Sequence, residues 1–131
     1  MLRIATKLDD QTEELIHRVV GCCITVHREL GPGLVEAIYQ RAVALELEAA
    51  GISFEREKRF PVRYRGKVLY IHRLDLVVDN RLVLELKAVE RLHPVHQSQV
   101  LSCLRVSKLP ICLLMNFNVA ILPDGIKRIV L

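Results

Sequence analysis

Two acidic residues and a lysine interrupt an otherwise apolar stretch of the sequence, LDLVVDNRLVLELKA, at positions 74–88. Side chains alternate between the two faces of a strand, so Glu85 and Lys87 project to one side and the leucines beside them project to the other. Asp75 reaches the same side if residues 79–81 form a three-residue loop or if the strand carries a bulge. A two-residue turn would instead place Asp75 on the opposite face.

If Asp75 and Glu85 lie side by side, their chemistry favours a hard divalent cation. Two carboxylates about 4 Å apart repel by about 4 kcal/mol at an effective dielectric constant near 20. Proteins tolerate such a pair where one carboxylate is protonated or a cation bridges the two. Mg²⁺ commonly binds one or two carboxylates, several waters and the phosphate oxygens of a substrate. Lys87 could then hold an attacking water or the negative charge that develops at phosphorus.

This stretch has two interpretations from the residues alone. In the first, Asp75, Glu85 and Lys87 form a metal-dependent site that cleaves phosphodiester bonds. In the second, they are ordinary ion pairs on the solvent face of a hairpin. The elements around them bear on the choice.

The first half of the sequence predicts two helices. Asp9, Asp10 or Thr12 could cap the first helix, and the Gly-Pro-Gly of residues 31–33 ends it, because proline cannot continue a helix and glycine tolerates left-handed dihedral angles. The second helix is expected from about residue 34 to residue 50.

The second half predicts strands around one more helix. From residue 53 the apolar period changes to two, with turns near 65–67 and 79–81. A third helix is expected in HPVHQSQVLSCLRVS, with Pro94 in its first turn. A strand buried on both faces is expected at 110–122 and a short one after Gly125. The sequence therefore predicts an α/β fold with a mixed sheet flanked by helices, in the order ααβββ(β)αββ, as a single domain over 1–131.

Composition limits the class of protein. The apolar fraction is 51% with no Trp, so the core must be aliphatic, and a net charge of +4 is compatible with a polyanionic partner without requiring one. The four cysteines show no CxxC spacing and are expected to be free thiols in a reducing cytosol. No signal-peptide pattern and no apolar run long enough for a membrane span appear, so we expect a cytoplasmic protein without a membrane partner.

Several ordered motifs resemble the GxxExxY protein family, a group within the PD-(D/E)XK nuclease superfamily. The motif that names the family stands as GLVEAIY, with Gly33, Glu36 and Tyr39 in place. HRELGPG precedes it, and LDLVVDNRLVLELKAVERLHPVHQSQ, NFN and DGIKRIV follow it. The similarity runs from about residue 12 to the C-terminus, and it implies a restriction-endonuclease-like core.

The resemblance implies a role for each matching residue. Asp75 and Glu85 would bind Mg²⁺ or Mn²⁺ with the backbone carbonyl of Leu86, and Lys87 would position the water. Glu36 matches a helical acid near the metal and is a further candidate ligand, and Gln99 matches a glutamine that points toward the site. The family usually has Tyr four residues after this glutamine. Cys103 stands there instead, which puts an aromatic contact to substrate in doubt.

Other residues are candidates for contact with nucleic acid. Arg73, Arg91, His93 and His96 could contact phosphate, and Tyr39 shares a helix with Glu36 and could face the same place. The alternative for Glu36 is a helix N-terminal acid with Tyr39 half-buried beside it. The basic segment FEREKRFPVRYRGK is read as a solvated strand face in preference to a strip that contacts DNA. The spacings of His93, His96, Cys103 and Cys112 fit no standard zinc motif.

Two functions follow from these observations. The first is a Mg²⁺- or Mn²⁺-dependent nuclease that acts on nucleic acid, with DNA favoured over RNA. The second is a catalytically inactive module of the same fold that binds nucleic acid or a protein partner, which the departure at Cys103 and the weak net charge favour. The resemblance also suggests a homodimer, because superfamily members often pair to cut two strands.

Overall fold

The computed structural model describes residues 8–131, which begin with two helices. Helix α1 spans Asp10–Leu30 and α2 spans Glu36–Ala49. Asp9 is the residue that caps α1, because its side chain accepts a hydrogen bond from the N–H of Thr12 at 2.7 Å. The chain leaves α1 at Gly31, whose φ of +69° glycine adopts without steric strain.

Five strands and a third helix complete the fold. They are β1 (Phe54–Tyr64), β2 (Lys67–Val78), β3 (Leu82–Lys87), α3 (Pro94–Ser107), β4 (Ile111–Asn116) and β5 (Ile126–Val130), with a short 3₁₀ helix (Leu122–Gly125) before β5. The order is therefore ααβββαββ, which confirms the predicted α/β class with a mixed sheet. The optional fourth strand before α3 is absent from the described chain.

The strand predicted at 110–122 is shorter than expected, and β4 ends at Asn116. The buried side chain of Asn116 turns to the main chain of Val89, accepting from its N–H at 3.1 Å and donating to its carbonyl at 2.9 Å. The sequence stays largely apolar beyond Asn116. The strand nevertheless ends there, because the Asn116 side chain binds the loop after β3 and the chain leaves the sheet.

The sheet has the spatial order β1-β2-β3-β4-β5. All neighbouring strands are antiparallel except β3 and β4, which are parallel and are connected through α3. Parallel pairing brings β3 and β4 to the centre of the sheet, and β4 is buried on both faces as predicted.

The sheet separates two apolar clusters. The larger cluster joins α1 and α2 to one face and includes Leu76, Leu84 and Leu86. The smaller cluster joins α3 to the other face and includes Leu74 and Val83. The four cysteines are free, as predicted. No helix of residues 8–131 is long and apolar enough to cross a membrane.

Half of β2 extends beyond the main sheet. Strand β2 pairs with β1 along almost its whole length, but its pairing with β3 covers only Leu76 to Val78. Residues 67–73 of β2 and the paired part of β1 therefore form a two-stranded arm, which we call the β1–β2 arm. Its free edge lies beside the carboxyl end of β3.

Candidate active site

The loop between β2 and β3 sets the register of the candidate site. Val78 pairs with Leu82, so Asp79, Asn80 and Arg81 form a three-residue loop. Both Asp79 (φ +50°) and Asn80 (φ +52°) adopt left-handed conformations, which aspartate and asparagine tolerate better than most residues. This is the first of the two alternatives open from the sequence, and it places Asp75 opposite Glu85.

Where β2 and β3 separate, hydrogen bonds to the carboxylates of Asp75 and Glu85 take the place of the main-chain hydrogen bonds between the strands. The last regular pair is Leu76 with Leu84. Beyond it, the N–H of Asp75 donates to Glu85 Oε1 at 3.0 Å, and the N–H of Leu86 donates to Asp75 Oδ2 at 2.9 Å. Each carboxylate is thus held by the main chain of the opposite strand through one oxygen, which leaves its second oxygen for another partner.

Strand β2 is also distorted at Asp75. Residues two apart in a regular strand face the same side, yet Leu74 packs in the cluster under α3 and Leu76 packs in the cluster under α1 and α2. In the ladder with β1, no pair joins Asp75 to Glu57, whose φ is +50°. The alternation of β2 therefore shifts at Asp75, without the extra residue that a β-bulge would insert.

Burial disfavours the charge of both carboxylates. Desolvation raises the pKa of Asp75, and the nearby carboxylate of Glu36 raises it further. Desolvation also raises the pKa of Glu85, with Asp75 as the next cause. The ammonium of Lys87 and the main-chain N–H donors lower both pKa values in part. The pair is therefore short of positive charge.

Helix α2 brings a third acid and an amide toward the pair. Glu36 is half-buried at the first turn of α2, and its charge acts on both Asp75 and Glu85. Gln40, one turn later, donates to Glu36 Oε1 at 3.4 Å, and its side chain lowers the pKa of Asp75. The sequence analysis missed Gln40, although its spacing of four from Glu36 puts both on one helix face.

Tyr39 faces the core instead of the site, which corrects the prediction that it contacts nucleic acid. It has no exposed surface and stacks on Phe117 at a centroid distance of 4.7 Å. Its hydroxyl donates to the carbonyl of Gly31 and accepts from the N–H of Leu34 at 3.2 Å. Tyr39 therefore fixes the turn that precedes Glu36, and it cannot touch a bound strand.

A cavity of about 860 Å³ opens beside the two carboxylates. Asp75, Glu85, Lys87, Gln99 and Arg73 line it, so five of the predicted residues share one space. The structure adds residues that sequence reasoning did not single out for the site, namely Arg59, Tyr70, Ile71 and His72. They come from the β1–β2 arm, and no local pattern indicates that this arm folds beside the end of β3.

Cys103 lines the same cavity from α3. Desolvation raises the pKa of its thiol to about 12, with the carboxylates of Glu85 and Asp75 as further causes. The thiol is therefore held in the protonated form, which is a poor nucleophile.

His96 caps helix α3, because its Nδ1 accepts the N–H of His93 at 3.0 Å. It lies outside the cavity lining. Burial and the charge of Lys87 lower its pKa, which favours the neutral ring. The predicted phosphate contact of His96 gains no support from this position.

The donor set at Asp75 and Glu85 fits a hard divalent cation that keeps its waters. Among residues 8–131 no three His, Cys, Asp or Glu side chains gather as a closed metal cage. Asp75 and Glu85 instead line an open cavity, each with one oxygen that accepts no main-chain hydrogen bond. Mg²⁺ commonly binds through one or two carboxylates with water and phosphate oxygens as the other ligands. The pair would also be relieved of its repulsion by such a charge.

One comparison with known proteins found a match. Residues 13–129 match the sequence profile of the PD-(D/E)XK nuclease superfamily. No curated protein and no solved structure matches the chain.

Proposed function

The chain belongs to the PD-(D/E)XK nuclease superfamily, whose members are typically metal-dependent nucleases, and from this premise we propose that it hydrolyses phosphodiester bonds in nucleic acid. DNA is the favoured substrate over RNA, and Mg²⁺ or Mn²⁺ is the cofactor. The observation that carries the proposal is the reciprocal bonding of Asp75 and Glu85, which holds two carboxylates together at the wall of a cavity.

Asp75 and Glu85 would hold the cation through their second oxygens. The carbonyl of Leu86 is a suitable third ligand, since its own N–H points toward Asp75 and the two polar groups of one residue in an extended strand lie on the same side. Glu36 is a further candidate from α2, but it lies outside the cavity lining and would have to move toward the pair to become a ligand. When bound, the cation would neutralise the carboxylates and lower the pKa of a coordinated water.

Lys87 follows Glu85 by two residues on β3 and therefore projects to the same face. Its ammonium lines the cavity, where it can hold the attacking water by a hydrogen bond or stabilise negative charge on the phosphate oxygens. The main chain just beyond it is fixed, because Asn116 grips both polar groups of Val89. Gln99 is exposed on α3 and supports the site through its amide.

A nuclease assay with Mn²⁺ and a mixture of single- and double-stranded DNA tests this proposal. We expect Asp75→Asn and Lys87→Ala to lower the cleavage rate at least about 100-fold, the usual loss when a charge-stabilising group is removed. Glu48→Gln and Lys127→Ala are matched controls, since both residues are exposed and lie outside the cavity lining. Wild-type rates for Asp75→Asn and Lys87→Ala would remove these residues from the chemistry.

The inactive module is the second candidate, and the observation in its favour is Cys103 at the cavity wall in place of the usual tyrosine. Titration calorimetry separates the two. If the chain is a metal-dependent nuclease, adding Mn²⁺ to the wild type should give a heat of binding. Glu85→Ala should abolish this heat. Binding of nucleic acid without any such heat and without cleavage would favour the inactive module.

A further inference from the structure

We propose that the β1–β2 arm holds an unpaired segment of nucleic acid, with one base stacked on Tyr70 and the flanking phosphates against Arg59 and Arg73. The substrate class is then single-stranded or locally unpaired nucleic acid. This inference rests on the proposed function, because it places the strand at the same carboxylates.

Tyr70 is an exposed aromatic residue in the cavity lining. Its side chain keeps 62% of its surface exposed and lines the same space as Asp75 and Glu85. The ring of His72 meets it edge-on, at 5.2 Å and 84° between the planes. His72 is itself held, since its Nε2 lies 3.1 Å from Ser102 Oγ on α3. Tyr70 is therefore braced from one direction, and at least one of its ring faces is free.

A free aromatic face selects for unpaired bases. In a duplex each base is already stacked on its neighbours and presents only its edge in a groove. An unpaired base exposes its own face, and stacking on an aromatic side chain contributes about 1–3 kcal/mol per base. Tyr70 can therefore stack on a base of a single strand, whereas an intact duplex offers it no free base face.

Two arginines of the same arm line the cavity from the other face, because side chains alternate along β2 and Arg73 is three residues from Tyr70. Arg59 and Arg73 are directly opposite each other on β1 and β2, an arrangement of like charges that destabilises a strand pair. Neither takes part in any of the ion pairs found within residues 8–131. Both line the cavity. A polyanion that crosses the free edge of the arm would meet Tyr70 on one face and both arginines on the other, and it would neutralise their charge.

The arm also supplies a matched control residue. Tyr64 is 65% exposed on β1, much like Tyr70, but it lies outside the cavity lining. General stickiness of exposed tyrosines would make the two residues equivalent, whereas a stacking position at the site makes only Tyr70 important.

The test is fluorescence anisotropy in EDTA, where no cleavage occurs, with a labelled single-stranded DNA oligonucleotide and the blunt duplex of the same sequence. We expect tighter binding of the single strand. Tyr70→Ala should weaken single-strand binding about 5- to 140-fold, which is the stacking range of about 1–3 kcal/mol converted at 1.4 kcal/mol per tenfold. Tyr70→Phe should retain the affinity because the ring remains, and Tyr64→Ala should leave it unchanged. Arg73→Gln should weaken binding and flatten its salt dependence.

Equal affinity for the two DNA forms, or unchanged single-strand affinity in Tyr70→Ala, would overturn this inference. In that event Mn²⁺-dependent cleavage lost in Asp75→Asn would still support the proposed function. Absence of both cleavage and DNA binding would instead overturn the proposed function, and this inference with it.

Discussion

At the scale of single residues, the site depends on a conflict between two acidic side chains and their burial. Desolvation raises the pKa of Asp75 and of Glu85. The charge of Glu36 raises the pKa of Asp75 further, and the charge of Asp75 raises the pKa of Glu85 further. Their hydrogen bonds to main-chain N–H groups hold them in place in spite of this repulsion. The arrangement lowers the stability of the cation-free protein, as is common for residues that serve function.

Replacing one acid by its neutral amide should therefore stabilise the cation-free protein at high pH. A carboxyl whose pKa is raised in the folded state stabilises the fold below its unfolded pKa, near 4, and this contribution is lost as pH rises through the folded value. At pH 8 in EDTA we expect Glu85→Gln to unfold at a higher denaturant concentration than the wild type. The gain in the free energy of unfolding should be about 1–3 kcal/mol, less than the Coulomb repulsion of about 4 kcal/mol between two adjacent carboxylates. Urea titrations at pH 5 and pH 8 measure this, and the gap should narrow at pH 5. A less stable Glu85→Gln at pH 8 would contradict the argument.

At the scale of the elements, three residues of the GLVEAIY segment have three different structural roles. Gly33 has a φ of +100°, which the turn between α1 and α2 requires and which glycine supplies without strain. Tyr39 anchors that turn from within the core through Gly31 and Leu34. Glu36 is left at the start of α2, where its charge acts on the carboxylate pair. The spacing thus couples a turn, an anchor and an acid.

Removing only the hydroxyl of this anchor should loosen the turn. Tyr39→Phe keeps the ring against Phe117 but leaves the Gly31 carbonyl and the Leu34 N–H without their partner. We expect a loss of about 1–2 kcal/mol in the free energy of unfolding, together with slower cleavage because Glu36 is less firmly placed. Tyr64→Phe is the control on an exposed tyrosine. Identical unfolding midpoints for Tyr39→Phe and wild type would show that the turn needs no such anchor.

Two glycines should respond to alanine in opposite directions. A Cβ at Gly125 would lie 2.2 Å from the carbonyl oxygen of Asn116, a main-chain atom that cannot easily move. Gly125→Ala should therefore destabilise the protein by about 1–3 kcal/mol. Gly21 lies inside α1 with no atom near the added methyl, so Gly21→Ala should stabilise by about 0.5–1 kcal/mol. Thermal unfolding checks both, and a shift of the same sign in the two variants would contradict the packing at Asn116.

Sequence patterns predicted the site residues that are close together in the chain. They did not predict the residues that only the folded sheet brings to the site. Strand alternation correctly placed Glu85 with Lys87. It left the face of Asp75 to depend only on the length of the loop between β2 and β3. Tyr70 and His72 could not be found this way, because the arm and the end of β3 are brought together only by the sheet. The early end of β4 depends on a contact between Asn116 and Val89, which are 27 residues apart.

At the scale of the whole molecule, the sheet presents the site where its two parts separate. Residues 76–78 of β2 belong to the main sheet with an apolar cluster on either side, and residues 67–73 belong to the β1–β2 arm. The carboxylates lie at the junction, so a rigid core supports one side of the cavity and a protruding arm supports the other. A strand of nucleic acid bound along the arm would reach the carboxylates directly.

The predicted homodimer also belongs to this scale. Three apolar residues of the α2 region, Val35, Ile38 and Leu45, are between 42% and 66% exposed, and such surface favours association when it is contiguous. Light scattering should give twice the chain mass of 15.0 kDa. Replacing Leu45 by Glu should lower the measured mass if this surface is the contact. A monomer mass for the wild type at working concentration would remove the homodimer.

The central claim is that Asp75 and Glu85 share one divalent cation, and a crystal structure of the protein soaked in Mn²⁺ tests it most directly. If the two carboxylates share a cation, a single anomalous peak will contact one oxygen of each, at the metal–oxygen distance of roughly 2.1 Å typical of small hard cations. The same peak should be absent from Glu85→Gln crystals. Density for Mn²⁺ only at other positions, with the two carboxylates still bound to the N–H groups of Leu86 and Asp75 and no metal between them, would contradict the claim.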